Sequence, residues 1–250
     1  MGNKLIDIEK DIKSKEYIFR LYFEGNLNRE ILDFINTLRK YASVYLFSGI
    51  IRDFFVDNKA PFRDIDLVYD ADDNINIEHL FTNYRFEKNS FGGYKIFADS
   101  YIIDIWNLNE TWGLKKGQLT FKFNYLHKLP DTTFFNFSSI IYSLNEYKFI
   151  VGKSFLNFLE KKEIDLVMEE NPFPELCIVN TMYYQKKLNY KLSERLKEYI
   201  LKIKNKILIN ELLDAQIKHF DEILFKEDEI NDFFFSLKKE SYKQINDHQI

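Results

Sequence analysis

Two aspartates stand two residues apart in a short apolar segment, which reads RDIDLVY from Arg63 to Tyr69. The β-branched and aromatic residues around Asp64 and Asp66 predict a strand, with Ile65–Tyr69 as its apolar stretch. Because side chains alternate across a strand, both carboxylates are expected on one side, with Ile65 pointing to the core. Mg²⁺ prefers such hard oxygen ligands and commonly combines one or two carboxylates with substrate phosphates. The pair therefore favours a magnesium site, and a solvated strand end is the alternative interpretation.

A small-residue turn precedes the aspartates. The predicted strand Val44–Phe47 ends at Ser48 and Gly49, and a predicted helix over Ile50–Val56 carries Arg52. A Ser-Gly turn lets a phosphate approach the backbone, and the start of a helix offers free N–H groups and a positive dipole end. The turn is therefore a candidate phosphate-binding element, with Arg52 adding a charge-assisted contact. The alternative for Arg52 is a salt bridge to Asp53 or Asp64.

A third carboxylate follows downstream. Asp104 lies in the predicted strand Tyr101–Trp106, which pairs with the predicted strand Tyr94–Phe97 through a turn at Ala98–Ser100. A phosphate-binding turn combined with three carboxylates is typical of a two-metal phosphoryl-transfer site. Lys95, in the first of these two strands, is a candidate contact for a triphosphate, although a solvated lysine is the more ordinary interpretation.

Glycine and proline divide the chain into two parts. All eight glycines and all four prolines precede Glu175, and these residues are the strongest markers of turns. We therefore predict an α+β fold, in which a small mixed β-sheet with flanking helices is followed by an all-α region. The predicted domains are residues 1–150 and residues 151–250.

Composition excludes several classes of protein. The 250 residues are 46% hydrophobic, which excludes global disorder, and the single cysteine excludes a disulfide scaffold or a cysteine-rich zinc site. A formal net charge of −4 argues against coating nucleic acid by charge alone. The start of the chain has no apolar signal region, and no apolar run has the length of a membrane span. A soluble cytoplasmic protein is expected.

Charge is unevenly distributed in the second part. Residues 186–206 hold eight basic and two acidic residues, whereas residues 211–232 hold eight acidic and two basic ones. The basic run is a candidate contact for an RNA backbone; the alternatives are that the two runs pair or are simply solvated. The candidate RNA-binding residues are Lys186, Lys187, Lys191 and Arg195.

The order Gly-x-x-Arg-Asp from Gly49, followed by Arg-Asp-x-Asp from Arg63, resembles a known family. It is similar to the head domain of the class II tRNA CCA-adding enzymes and bacterial poly(A) polymerases, in the polymerase-β-like nucleotidyltransferase superfamily. The resemblance covers about residues 40–195. Its further segments are Ser90–Ile96, Ile103–Trp106, Phe134–Leu144 and Leu176–Tyr190.

The resemblance implies a function. It implies Mg²⁺-dependent transfer of NMP from an NTP, with release of diphosphate, to a hydroxyl acceptor, most simply RNA such as a tRNA 3′ end. It also implies a catalytic head over residues 1–150 and a neck-like helical domain over residues 151–250. In that family-based view, Asp64, Asp66 and Asp104 hold two Mg²⁺ ions, or Mn²⁺ in their place, and Asp104 alternatively takes the proton of the acceptor. The triphosphate contacts are Ser48, Gly49, Arg52 and Lys95.

Departures from the family pattern leave the substrate open. The family's paired glycines are Ser48 and Gly49 here, and the Arg-Arg-Asp expected before Phe134 is absent, with only Asp131 nearby. The neck-helix arginines that read the incoming base fall on a stretch containing Cys177 and Asn180. The chain is also short of the family's body and tail regions. One alternative is a toxin or defence nucleotidyltransferase that modifies a protein, a small molecule or a nucleotide; another is an inactive nucleotide-binding or RNA-binding protein.

Overall fold

The computed structural model describes residues 2–47, 49–57, 61–62, 64–72, 74–89, 92–115 and 125–247. The chain divides into two compact units. The first comprises Met1–Thr133 and Phe137–Glu160, and the second comprises Phe134–Asn136 and Lys161–Ile250. Sequence analysis places the domain boundary somewhat earlier, after residue 150, and the functional roles assigned to the two domains stay predictions.

A seven-stranded mixed sheet forms the centre of the first unit. Its spatial order is β3-β4-β5-β2-β1-β6-β7. The parallel pair is β2 with β5, and the other neighbours are antiparallel. The strands are β1 (Ser43–Phe47), β2 (Asp64–Asp70), β3 (Arg85–Lys88), β4 (Tyr94–Ala98), β5 (Tyr101–Asn107), β6 (Ile140–Ser143) and β7 (Lys148–Val151).

Helices flank this sheet, with short 3₁₀ turns between some of the elements. They are α1 (Gly2–Ser14), α2 (Glu16–Gly25), α3 (Arg29–Leu38), α4 (Gly49–Phe55), α5 (Trp112–Lys115) and α6 (Lys153–Lys161). The start of α3 shows how the sequence specifies them. The Asn28 side chain accepts a hydrogen bond from the backbone N–H of Ile31 at 2.9 Å and caps the helix. The apolar residues of α3 recur at helical spacing and are buried.

The middle strands of the sheet bury one face completely. Ile65 and Leu67 of β2 and Ile103 and Ile105 of β5 are inaccessible to solvent. Side chains alternate along a strand, so the residues between them lie on the opposite face of the sheet. The strand pattern therefore gives one apolar face and one face that is free to carry polar groups near the start of β2.

The second unit is mainly helical. Its helices are α7 (Pro174–Leu188), α8 (Glu194–Lys204), α9 (Ile209–Phe220) and α10 (Glu227–Asp247), with a two-stranded parallel pair of β8 (Glu163–Ile164) and β9 (Lys191–Leu192). Ser193 caps α8, and its hydroxyl donates to Asp165 Oδ1 at 2.5 Å. Gln216 is buried and hydrogen-bonds both the N–H and the C=O of Phe225, which holds the loop between α9 and α10.

This architecture confirms the predicted α+β class: a mixed sheet with helices is followed by a helical region. Across the part of the chain that the structure describes, no helix combines the length and apolar character that crossing a membrane requires.

Candidate active site

The two aspartates predicted to share a face lie at the beginning of β2. Asp64 is the first residue of the strand and is exposed, and Asp66 is half-buried. Ile65 between them is fully buried in the apolar core. The alternation predicted from the sequence is therefore confirmed, and both carboxylates lie on the polar side of the sheet.

The third predicted carboxylate lies beside this pair because β5 runs parallel to β2. The register places Asp104 opposite Asp66 and Ile102 opposite Asp64. Neighbouring strands in a sheet are about 4.8 Å apart, and directly opposed residues share a face. The backbone therefore brings Asp64, Asp66 and Asp104 to one location.

Burial and the neighbouring carboxylates both raise the pKa of Asp66. Loss of solvent on burial, followed by the negative charges of Asp104 and Asp64, raises the pKa of Asp66 to about 7. The nearby positive charges of Lys95 and Arg52 lower the pKa but do not offset the increase. Among the described residues, the positive charges near Asp66 thus do not outweigh its burial and its acidic neighbours.

This donor set fits a divalent cation by its chemistry. Carboxylate oxygens are the ligands that Mg²⁺ and Mn²⁺ prefer, and the excess negative charge at Asp66 is what a cation would relieve. Within the described ranges, no three acidic, histidine or cysteine side chains are already arranged as a group that could hold a metal ion. The case for a divalent cation therefore rests on the three carboxylates themselves and on the register of β2 and β5 that brings them together.

Lys95 neutralises one of the three carboxylates directly. It lies opposite Asp104 in the antiparallel pair of β4 and β5, and its Nζ is 3.1 Å from Asp104 Oδ2. Both side chains are partly exposed, at 42% for Lys95 and 29% for Asp104. Lys95 therefore lies at the candidate site, but its contact in this structure is with an acid. The sequence predicts Lys95 as a triphosphate contact or a solvated residue, and neither prediction includes this ion pair.

Arg52 is buried next to the site. Its side chain is 7% exposed, its Nε bonds Asp53 Oδ1 at 2.7 Å, and its guanidinium lies 5.4 Å from the ring centroid of Phe137. The salt bridge to Asp53 is the alternative that sequence analysis considered. Because the charge of Arg52 also lowers the pKa of Asp66, the guanidinium acts on the carboxylate face as well. Nothing in the local sequence identifies Phe137 as its neighbour.

Gly49 is the first residue of α4, directly after the Ser48 position. No atom of the described residues lies within 4 Å of the position that a Cβ on Gly49 would occupy, apart from its chain neighbours. Packing against the described residues therefore does not require glycine at this position. Ser48, predicted to complete this turn, and Arg63 lie outside the described residues.

The polar face continues into an apolar cluster. Further along β2 on the same side, Val68 packs in a buried group with Tyr45, Leu108, Leu129 and Ile141. The carboxylates therefore lie at the edge of a packed core, which fixes the strands that carry them.

The predicted RNA-binding residues belong to the second unit. Lys186 and Lys187 are exposed in the last turn of α7, and Lys191 is exposed at the start of β9. Arg195 has local partners: its guanidinium donates to the carbonyls of Leu166 and Val167 at 3.2 and 3.4 Å.

The predicted base-reading stretch also belongs to this unit. Cys177 is 3% exposed on α7, and burial raises the pKa of its thiol. Asn180, one turn later, is half-buried. Neither Cys177 nor Asn180 supplies the positive charge that an arginine would provide there.

Comparison with known proteins gives structural neighbours only. No protein-family model matches the sequence, and no curated protein matches it significantly. A CCA-adding enzyme in complex with CTP matches 88% of this chain and 54% of its own, with a TM-score of 0.63 and 14% identity. The complex of a CCA-adding enzyme with ATP matches 80% and 50%, with a TM-score of 0.58 and 15% identity.

A further neighbour is a tRNA nucleotidyltransferase complexed with a primer tRNA and an incoming ATP analog. It matches 79% of this chain and 58% of its own, with a TM-score of 0.55 and 17% identity. The chain thus spans about half the length of these neighbours. The resemblance stated from the sequence motifs is confirmed at the level of structure: the chain has the fold of the CCA-adding enzymes and tRNA nucleotidyltransferases.

Proposed function

We propose that this protein is a divalent-metal-dependent nucleotidyltransferase that transfers NMP from an NTP to a hydroxyl of RNA, such as a tRNA 3′ end. The observation that carries the proposal is the register of β2 and β5, which brings three carboxylates to one face and raises the pKa of Asp66 to about 7. The structural neighbours include enzymes in complex with ATP, with CTP and with a primer tRNA, which supports the same chemistry.

In this proposal, Asp64 and Asp66 hold Mg²⁺, or Mn²⁺ in its place, and Asp104 completes a two-ion site. When bound, the ions neutralise the charge that develops on the transferred phosphoryl group and activate the attacking oxygen. Asp104 alternatively accepts the proton of the acceptor hydroxyl itself. Ile65, which is buried between Asp64 and Asp66, anchors the strand that carries these two carboxylates.

The triphosphate is proposed to bind at the start of α4. The open space beside Gly49 admits a phosphate close to the backbone, and Ser48 is proposed to complete the turn. Arg52 adds positive charge, and its salt bridge to Asp53 keeps the guanidinium oriented. Lys95 is a partly exposed cation on the carboxylate face and is proposed as a second contact to the phosphates.

RNA binding is proposed to use the basic run of the second unit. The exposed lysines Lys186, Lys187 and Lys191 offer positive charges to a phosphate backbone. The proposed part of Arg195 is smaller, since its guanidinium already holds two carbonyls. Replacing these three lysines by glutamine should weaken RNA binding and reduce its salt dependence, whereas Lys239→Gln, an exposed change outside the run, should not. Equal salt dependence in all variants would contradict the proposed contact.

The alternative acceptor has a specific observation in its favour. The stretch that matches the family's base-reading arginines carries a buried neutral thiol at Cys177 and an amide at Asn180. Without those arginines, discrimination between bases needs other groups, and an acceptor such as a protein, a small molecule or a nucleotide becomes the second candidate.

The test of the proposed chemistry is incorporation of label from each α-³²P NTP, with Mg²⁺, into tRNA, total RNA and a protein extract. Wild type is compared with the double variant Asp64→Asn/Asp66→Asn. The control is Asp70→Asn, which removes an exposed carboxylate at the other end of the same strand. We expect incorporation by wild type and by the control, and none by the double variant.

The outcomes separate the candidates. Label in RNA supports the proposal, and label in protein or small molecules supports the alternative acceptor. Equal labelling by wild type and the double variant would refute the carboxylate mechanism. Thermal stabilisation by an NTP without any transfer would indicate an inactive binding protein.

A further inference from the structure

A row of charged residues crosses four strands at the candidate site. Glu87 of β3 lies opposite Lys95 of β4, Lys95 lies opposite Asp104 of β5, and Asp104 lies opposite Asp66 of β2. Directly opposed residues share a face of a sheet, so the four side chains form one continuous row. Lys95 is therefore flanked by a carboxylate on each side.

Lys95 pairs with the carboxylate that belongs to the site. Its Nζ is 3.1 Å from Asp104 Oδ2, whereas the carboxylate of Glu87 is engaged at 2.7 Å by Nη2 of Arg85. Arg85 and Glu87 are two residues apart on β3 and thus on the same face. Because Arg85 satisfies Glu87, the ammonium of Lys95 is directed towards Asp104.

We propose that Lys95 is a built-in counter-ion of the third carboxylate, which it releases when a divalent cation and a triphosphate bind. Lys95 thereby opposes metal binding in the free protein and assists nucleotide binding in the loaded one. The inference rests on the proposed function. It assigns Lys95 two partners, one after the other: Asp104 in the free protein and the phosphates once the nucleotide is bound.

The physical basis is competition for one carboxylate. An ammonium in contact with Asp104 reduces the negative charge available to a cation and repels that cation directly. The contact is partly exposed, so it contributes little to stability and separates at low cost. Once released, the flexible lysine side chain stays beside the site, where the negative phosphates of an NTP replace its lost partner.

The experiment measures Mn²⁺ binding to the NTP-free protein by electron paramagnetic resonance of the free ion. Lys95→Met removes the ammonium and keeps the apolar length of the side chain. The matched control is Lys88→Met, which also removes one exposed positive charge from the sheet. Lys88 pairs with Glu78 at 3.6 Å and lies opposite Tyr94, on the face away from the row.

We expect Lys95→Met to bind Mn²⁺ about tenfold more tightly. That factor corresponds to the repulsion energy between a unit charge and a divalent ion roughly 6 Å apart in a water-like dielectric. The KM for the NTP should change in the opposite direction and rise. Lys88→Met should change neither quantity, and Lys95→Arg should keep both near wild type. A merely structural lysine would not move the two constants in opposite directions.

The failures are distinguishable. If wild type binds Mn²⁺, Asp66→Asn abolishes that binding, and Lys95→Met leaves the affinity unchanged or weaker, the counter-ion inference is wrong while the proposed function stands. If no variant binds Mn²⁺ in a way that depends on Asp66, both are wrong.

Discussion

Asp66→Asn should stabilise the metal-free protein while removing the proposed nucleotidyl transfer. Burial and two neighbouring carboxylates raise the pKa of Asp66 to about 7 from its ordinary value of 3.8. A raised pKa means that the folded state holds its proton more tightly than the unfolded state does. This group's contribution to stability is therefore complete below about pH 4 and is lost as the pH rises to about 7. Asparagine has the same shape, is neutral at every pH and escapes this penalty.

The magnitude follows from the shift in pKa. Each unit corresponds to about 1.4 kcal/mol, so the full shift costs on the order of 4 kcal/mol at pH 8. About a third of that cost is already present at pH 5, because the unfolded carboxyl is ionised there. The free energy of unfolding of Asp66→Asn, relative to wild type, should therefore rise by about 3 kcal/mol between pH 5 and pH 8.

The assay is urea unfolding at pH 5, 6, 7 and 8 in EDTA. Wild type and Asp66→Asn are compared with Asp70→Asn, an exposed change at the other end of β2. The control should follow wild type at every pH. If the difference between Asp66→Asn and wild type does not grow with pH, burial and the neighbouring carboxylates do not raise the pKa of Asp66, and the electrostatic reasoning fails.

Adding Mg²⁺ should stabilise wild type more than Asp66→Asn and so reduce the difference between them. A ligand that binds only the folded state stabilises it by mass action, and wild type can bind the ion whereas Asp66→Asn has lost a ligand. Because a proton on Asp66 competes with the ion, the affinity of wild type for Mg²⁺ should also rise with pH up to about 7. A stabilisation by Mg²⁺ that is equal in both proteins would place the ion elsewhere.

Three further predictions concern packing and reactivity. Gly152→Ala should lower the free energy of unfolding, measured in urea, by about 1–3 kcal/mol, because its Cβ would lie 2.0 Å from Ser139 Oγ. In the same assay Gly25→Ala, whose Cβ would meet no described atom, should be neutral or slightly stabilising. Gly49→Ala should leave thermal stability unchanged but raise the KM for the NTP about tenfold, since its methyl group fills space that we assign to a phosphate; an unchanged KM would argue against that assignment. Cys177, whose thiol pKa is raised by burial, should react with a disulfide reagent only as fast as the second unit unfolds, and rapid labelling of the native protein would contradict its burial.

The carboxylate pair was predictable because its geometry is local. Alternation along one strand places Asp64 and Asp66 together and Ile65 in the core, whatever the rest of the chain does. The elements that carry the site were also predictable within one or two residues: β1, α4 and β2 begin and end close to the expected positions. These assignments depend on short-range hydrophobic patterns and on turn residues, which a single sequence contains.

The assignment of one short segment to the second unit was not predictable from the sequence. Phe134–Asn136 belongs to the second unit, although residues on both sides belong to the first. The ring of Phe134 contacts that of Tyr199 at 5.4 Å, and the Asn136 side chain donates to the carbonyl of Glu163 at 2.8 Å. Both partners are distant in sequence, so no local pattern signals them.

The contact between Lys95 and Asp104 was missed because it depends on the length of a turn. Sequence analysis placed three residues, Ala98–Ser100, between the strands, and that spacing would pair Phe97 with Tyr101 and put Lys95 opposite Ile103. In the structure Ala98 pairs with Tyr101, and the turn consists of Asp99, in the left-handed conformation at φ 52°, and Ser100. A shift of one residue in register changes which residues share a face. The same shift separates a solvated lysine from one that neutralises Asp104, so the partner of Lys95 is decided by the turn and not by the strand that carries it.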